Sequence, residues 1–260
     1  DDTLMKQRRR MLEANREAAR YFHETLFTPE GAAALSYLQG RGLNAKIIRH
    51  FGLGCAPNRW DGLLRHMRQK GYSEAELVNA NLARRSDKNG RTSCYDNFRN
   101  RMMIPIIDLR GNVIAFGGRV LDDAKPKYVN TSDTLVYKKS QAIFALNFAK
   151  SANQGKLILA EGYMDVIAYH QAGFTNAVAC LGTALTREQA RLLARYADEV
   201  ILSYDADGAG QEATRRAIGI FNEIGMKLRV LRLSGGKDPD EILRQYGPDR
   251  LRDLLEGAAN

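Results

Sequence analysis

Six carboxylates in the last hundred residues stand in three short clusters: Glu161-Gly162-Tyr163-Met164-Asp165, Asp205-Ala206-Asp207-Gly208-Ala209-Gly210 and Asp238-Pro239-Asp240. The first two begin where an apolar run stops, Leu157-Ile158-Leu159-Ala160 before Glu161 and Val200-Ile201-Leu202-Ser203-Tyr204 before Asp205. A continuous apolar run followed by a helical pattern reads as a buried parallel strand. In open α/β sheets ligands gather at the carboxyl ends of such strands. Glu161, Asp205 and Asp207 are therefore expected to converge, and carboxylates brought together repel one another. A hard divalent cation with oxygen ligands removes that repulsion, and magnesium suits an all-oxygen set. The simpler alternative is that each acid only caps the helix that follows. Capping accounts for any one of them, but not for a Glu and a D-x-D on two strand ends, each followed by glycine.

The elements that would position these acids alternate strictly from residue 156 onward. Strands are expected at 156–160, 176–180, 199–204 and 227–233, with helices at 164–172, 187–197, 209–224 and from about 239. Thr186-Arg187-Glu188-Gln189 has the form of a capping box. Ala213, Ala217, Ile220, Phe221 and Ile224 form one apolar helical face. The alternation implies a doubly wound parallel sheet.

The first half reads differently, as an α+β subdomain. Helices are expected over 1–22, from Pro29 to Gln39 with Gly40-Arg41-Gly42 as a C-cap, and near 44–51, 61–70 and 73–81. Ser86 to Arg91 reads as a loop. Arg101–Asp108 reads as a strand, with Pro105 arguing for an edge or bulge position. A turn at 108–112 leads to a returning strand at Val113–Phe116, after which Gly117-Gly118 allows a bend or a close approach. The domains expected are 1–150 and 151–260.

Charge follows the same division. Residues 1–150 hold 26 Lys and Arg against 15 Asp and Glu, and residues 151–260 hold 13 against 15. A basic half joined to a slightly acidic half suggests a polyanion-binding module serving a metal-binding one. The run Lys6 to Arg10 reads as a solvated helix face. Three scattered cysteines (Cys55, Cys94, Cys180) and four histidines without ligand spacing argue against zinc in this chain and fit a reducing cytoplasm. No apolar stretch reaches the ~18 residues of a membrane helix, and no signal-peptide pattern is present, so no membrane role is expected.

The acidic set, with Gly236-Lys237 before Asp238, resembles the TOPRIM domain of primases, topoisomerases and some nucleases. Phe98-Arg99-Asn100-Arg101-Met102-Met103-Ile104-Pro105-Ile106, Phe116-Gly117-Gly118-Arg119-Val120-Leu121, Pro126-Lys127-Tyr128 and Glu161-Gly162-Tyr163-Met164-Asp165-Val166 are together similar to the bacterial replicative (DnaG-type) primases, from about residue 35 to the end. The resemblance implies a DNA-dependent RNA polymerase core that makes short primers on single-stranded DNA from ribonucleoside triphosphates. It implies Mg²⁺ or Mn²⁺ as cofactor, with zinc confined to a separate N-terminal domain. It also implies a replicative helicase as partner through a C-terminal domain. The chain starts without methionine and is expected to be a monomeric fragment of a longer replication-fork protein, without either flanking domain.

Nucleotidyl transfer needs cations held by carboxylates to neutralise the triphosphate and stabilise the leaving oxygen. Glu161, Asp205 and Asp207 are the expected ligands, with Asp205 bridging. Asp165 is expected either to bind metal or to orient Glu161, its alternative being a first-turn acid favoured by the helix dipole. The resemblance adds Asp238 and Asp240 to the metal set; Asp then Pro is also an ordinary helix start. It further places Arg41, Arg99, Arg101, Arg119, Lys127 and Lys139 along a groove for nucleotide and template, with Arg119, Lys127 and Lys139 among the catalytic residues. Asn97 stands where a basic residue is frequent and is expected to be dispensable. Tyr95, Phe98 and Tyr128 are candidates to stack bases, whereas Phe116 belongs in a strand core. The rivals are another TOPRIM enzyme and a non-catalytic single-stranded-DNA-binding recombination mediator. None of the eleven tyrosines has the context of a topoisomerase nucleophile, and a pure binder gains nothing from clustered acids facing a polyanion.

Overall fold

Apolar side chains four residues apart set the first helix, α1 (Asp2–Leu26), which buries Ala14, Ala18, Phe22 and Leu26. The computed structural model describes residues 1–152, 154–233 and 238–258. The chain divides into two compact units, Asp1–Ile107 with Gly111–Lys138, and Asp108–Arg110 with Lys139–Asn260.

In the first unit α1 runs four residues beyond the span expected up to residue 22 and is followed by a 3-10 turn, Pro29–Gly31, and α2 (Ala32–Gly40). Then come α3 (Ala45–Phe51), β1 (Gly54–Ala56), α4 (Gly62–Gln69), α5 (Glu74–Asn79), β2 (Ala83–Lys88), β3 (Arg91–Asp96), β4 (Arg101–Ile107), β5 (Val113–Val120) and β6 (Tyr128–Asn130). An antiparallel sheet has the order β1-β4-β5-β6, and β2 pairs with β3 as a separate hairpin. The expected loop at 86–91 is therefore the end of two paired strands around a tight turn. Asn89 and Gly90 both have positive φ, the signature of a two-residue hairpin turn. The strands escaped notice because their side chains are mostly polar and exposed, so no apolar alternation marks them.

Pro105 lies in β4 beyond the three residues that pair with β1, so its missing N–H interrupts no ladder on that side. Gly118 stays within β5, where a Cβ would meet Arg101, Met103 and Phe98 at 3.0–3.1 Å. Its function is close approach rather than a bend. The core of this unit joins Ala14, Ala18 and Phe22 of α1 to Leu63, Leu64 and Met67 of α4 and to Phe98, Met103 and Phe116. Phe22 meets Phe116 edge-on with centroids 5.3 Å apart.

The second unit has α6 (Leu146–Ala149), β7 (Lys156–Ala160), α7 (Tyr163–Gln171), β8 (Ala177–Ala179), α8 (Arg187–Ala194), β9 (Glu199–Ser203), α9 (Gly208–Glu223), β10 (Lys227–Val230), α10 (Pro239–Tyr246) and α11 (Pro248–Glu256). All described pairings in the sheet β10-β9-β7-β8 are parallel, with Leu159 opposite Leu202 on one side and Val178 on the other. Leu157, Leu159, Val200 and Leu202 pack with Ala190, Leu193, Ala217 and Phe221 of α8 and α9. The other face carries α7, whose Tyr169 hydroxyl lies 2.6 Å from the Ser203 hydroxyl. Helices on both faces make this the doubly wound α/β arrangement expected. The Thr186–Gln189 capping box is formed in both directions, at 3.0 and 3.1 Å.

Candidate functional site

Glu161 follows the last residue of β7, and Gly162, not Glu161, is the N-cap of α7. Asp205 likewise lies between β9 and the N-cap of α9, which is Asp207. Neither Glu161 nor Asp205 is a helix cap, so the simpler explanation does not hold for the two acids nearest the strand ends. It does hold in part for two others. One oxygen of Asp207 accepts from the Gly210 N–H at 2.7 Å, and one of Asp238 accepts from the Glu241 N–H at 2.9 Å.

The parallel register brings β7 and β9 side by side, Ala160 opposite Ser203, so their carboxyl ends deliver Glu161 and Asp205 together. The Asp205 N–H points at Glu161 Oε2, 3.4 Å away. Burial, then the neighbouring Glu161, push the Asp205 carboxyl up to about 7. Asp205 Oδ1 is buried with no hydrogen-bond partner among the described residues. Burial also drives Asp165 well above the carboxylate range, reinforced by the charges of Asp238, Asp205, Asp240 and Glu161. Asp240 is only 4% exposed and pairs with Arg244 at 3.1 Å. Five acids thus share one electrostatic neighbourhood, and Asp207 adds its charge to Asp205. Among the described residues no three His, Cys, Asp or Glu side chains are close enough to form a finished cation cage as they stand. Gly236 and Lys237 lie outside the described residues.

The spacing of Asp205 and Gly210 has a steric cause. A Cβ at Gly210 would collide with the Asp205 carbonyl oxygen, and its first helical turn lies directly against the Asp205 backbone. Only glycine lets α9 start there.

The basic residues divide into distinct settings. The Arg119 guanidinium lies 4.3 Å from the centroid of the Tyr37 ring, and Arg41 lies 6.0 Å from the same ring. Arg99 stands 4.9 Å from the ring of Trp60, which is 52% exposed and stacks on Tyr95 with centroids 4.3 Å apart. Arg101, expected to line the groove, is 8% exposed, and its guanidinium donates to the carbonyls of Gly118, Pro126 and Lys127 at 3.1–3.2 Å. It braces the segment that carries Lys127 instead of presenting its charge. Lys127 and Lys139 are exposed; Lys139 belongs to the second unit, where its carbonyl accepts from Gln189. Phe98, a candidate for base stacking, is buried in the core, and Asn97 donates to the Asn81 carbonyl. The residues that sequence reasoning passed over are Trp60 and Tyr37. A lone tryptophan is ordinarily core, and only its exposure beside Tyr95 and Arg99 distinguishes it. No helix among the described residues is long and apolar enough to cross a membrane.

Comparison with known proteins agrees over nearly the whole chain. A family model described as the N-terminal domain of the DNA primase catalytic core matches residues 21–150, and one described as Toprim-like matches residues 158–243. A DNA primase of Clostridium acetobutylicum is 48% identical over 247 residues, covering 95% of this chain and 40% of its own length. The chain thus spans about two fifths of the curated relatives it matches, the Deinococcus radiodurans DNA primase being covered to 43%. A structure of a DnaG primase catalytic domain bound to single-stranded DNA superimposes with a TM-score of 0.89 at 35% identity, over 98% of this chain and 80% of that one. The RNA polymerase domain of Mycobacterium tuberculosis primase DnaG gives 0.89 at 36% identity, over 97% and 84%. With both family models matched in one chain and the fold shared almost end to end, the chain belongs to the DnaG-type DNA primases, as a catalytic core with a Toprim domain.

Proposed function

We propose that this chain polymerises ribonucleotides into short primers on a single-stranded DNA template, with Mg²⁺ or Mn²⁺ as cofactor. The observation that carries the reading is the gathering of Glu161, Asp165, Asp205, Asp238 and Asp240 at the carboxyl ends of β7 and β9, around a buried Asp205 oxygen with no partner among the described residues. Acids that raise one another's proton affinity in this way are suited to a divalent cation. Glu161, Asp205 and Asp207 would hold it, supported by Asp238 and Asp240, with Asp165 behind them. When bound, such an ion supplies charge neutralisation and a more acidic 3′-hydroxyl.

In the reaction a primer 3′-hydroxyl gives up its proton to solvent as its oxygen bonds to the α-phosphorus of a ribonucleoside triphosphate. The bond to the bridging oxygen breaks, and pyrophosphate leaves. The chain's own contribution is positioning. Arg41, Arg119, Lys127 and Lys139 would bind phosphates of the nucleotide or template, with Arg101 bracing Lys127. Trp60 and Tyr95, stacked beside Arg99, offer a flat sequence-tolerant surface for template bases. A helicase contact and a zinc domain would belong to the longer relatives' additional sequence.

The test is to incubate the chain with single-stranded DNA, labelled ribonucleotides and Mn²⁺ and look for short RNA. Synthesis is expected, and Asp205→Ala is expected to abolish it without lowering the melting temperature, because removing one acid relieves like-charge repulsion. Wild-type synthesis by Asp205→Ala would overturn the site assignment.

A further inference from the structure

Two arginines 78 positions apart in the chain meet one tyrosine ring. Arg41, at the C-cap of α2, lies 6.0 Å from the Tyr37 centroid, and Arg119, in β5, lies 4.3 Å from it. Tyr37 sits one turn before Arg41, and the Arg41 N–H donates to the Tyr37 carbonyl at 3.1 Å, so ring and first guanidinium ride on the same helix end. Arg119 is fixed from two directions. Its Nη1 donates to the Val120 carbonyl at 2.7 Å, and its guanidinium carbon lies over the Tyr37 ring.

This arrangement is not the one that internal hydrogen bonding alone would select. Arg119 Nε is buried and has no hydrogen-bond partner among the described residues, and such an orphan is uncommon where a structural role suffices. Two like charges on one ring also repel. What holds them there is the attraction of each cation to the ring face. A stacked guanidinium keeps its in-plane N–H groups for a planar or tetrahedral oxyanion.

We propose that Tyr37 is a positioning residue that presents Arg119 and Arg41 together to one phosphate group. The inference rests on the reading of these arginines as phosphate ligands. Tyr37 itself touches no substrate; it acts by fixing where the guanidiniums point. The phosphate chemistry has two sources, a nucleoside polyphosphate or a backbone phosphodiester.

The experiment is a double-mutant cycle in the full chain, with Tyr37→Leu, Arg119→Ala and the pair. Nucleotide KM and kcat are read in primer synthesis, and the salt dependence of binding to single-stranded DNA is read separately. Tyr37→Leu is expected to weaken one of the two by ~5- to 10-fold, the size of a part-buried cation–π contact. It is expected to add less than this in the Arg119→Ala background, where only the hold on Arg41 remains to be lost, since residues acting through one another are non-additive. A rise in KM identifies the polyphosphate, and a loss of salt slope identifies the phosphodiester. Tyr37→Phe keeps the ring and should behave as wild type in both readouts. Tyr37→Met serves if the Leu protein does not fold.

Equal, additive losses in both backgrounds would show a merely structural role and overturn the proposal, as would a Phe variant as damaged as the Leu one. If Arg119→Ala is impaired and Tyr37→Leu is silent, only the role of Tyr37 falls. If Arg119→Ala changes neither readout, the phosphate reading of the arginine falls with it.

Discussion

Asp238 is the residue at which a structural and a chemical task coincide. One of its oxygens caps α10 through the Glu241 N–H, while its charge is the largest electrostatic influence on the buried Asp165 carboxyl. Serine caps as well as aspartate, so Asp238→Ser separates the two tasks. Its melting temperature is expected to stay within error of wild type. Primer synthesis is expected to fall at least ~10-fold, the usual loss when a metal's supporting shell is disturbed, and to recover in part at high Mg²⁺. Wild-type synthesis and an unchanged melting temperature in Asp238→Ser would leave Asp238 as a cap alone. At this scale the acids were legible because strand-end carboxylates have few innocent explanations together. The settings of the basic residues were not. Arg99, Arg101 and Arg119 look alike in sequence, yet one sits by an exposed indole, one holds three carbonyls and one lies on a tyrosine ring. Which of these applies depends on side chains brought up from elsewhere in the chain.

At the scale of elements, α9 can begin where it does only because Gly210 has no side chain. Gly210→Ala is expected to displace the Asp205 backbone, reducing primer synthesis more than ~10-fold and destabilising the fold by about 1–3 kcal/mol, as overpacking does. Thermal unfolding and the primer assay on the same preparation check both. A second element depends on a remote acid. Asp96, at the end of β3 and 1% exposed, accepts from the Leu63 and Leu64 N–H groups at 2.9 Å and so caps α4, whose own N-cap residue Asp61 makes no such bond. Burial raises the Asp96 carboxyl from 3.8 to about 6 despite those two bonds. A carboxyl whose folded pKa is raised contributes stability that is complete below its unfolded pKa and is lost as pH climbs through the folded one. From below pH 3.8 to above pH 6 that loss is about 3 kcal/mol. Asp96→Asn, which cannot ionise, is expected to show a flatter fall in unfolding free energy than wild type between pH 4 and about pH 7. Parallel curves for the two proteins would refute the shift. The parallel strands were legible because burial on both faces writes a continuous apolar run. The hairpin of β2 and β3, the three-residue strands β1 and β6, and a cap supplied from 32 positions away leave no local pattern to read.

At the scale of the molecule the basic excess lies in residues 1–150. Binding of single-stranded DNA is expected to weaken steeply with salt, by ~0.7 in log-log slope for each phosphate contacted. Arg99→Ala and Lys127→Ala should each reduce that slope or raise the nucleotide KM, as titrations from low to physiological salt would show. Two variants with the wild-type slope and kinetics would place the phosphate path on other residues. The division into units has a further implication. The second unit takes three residues, Asp108–Arg110, from the turn between β4 and β5, where Leu109 packs with the core of β7–β9 and its carbonyl accepts from Lys150 Nζ at 2.6 Å. Neither unit is therefore one uninterrupted stretch of gene. A fragment begun at residue 139 would leave the place of Leu109 empty, and shuffling this Toprim unit between proteins by a single crossover would break a contact that the recipient must already supply.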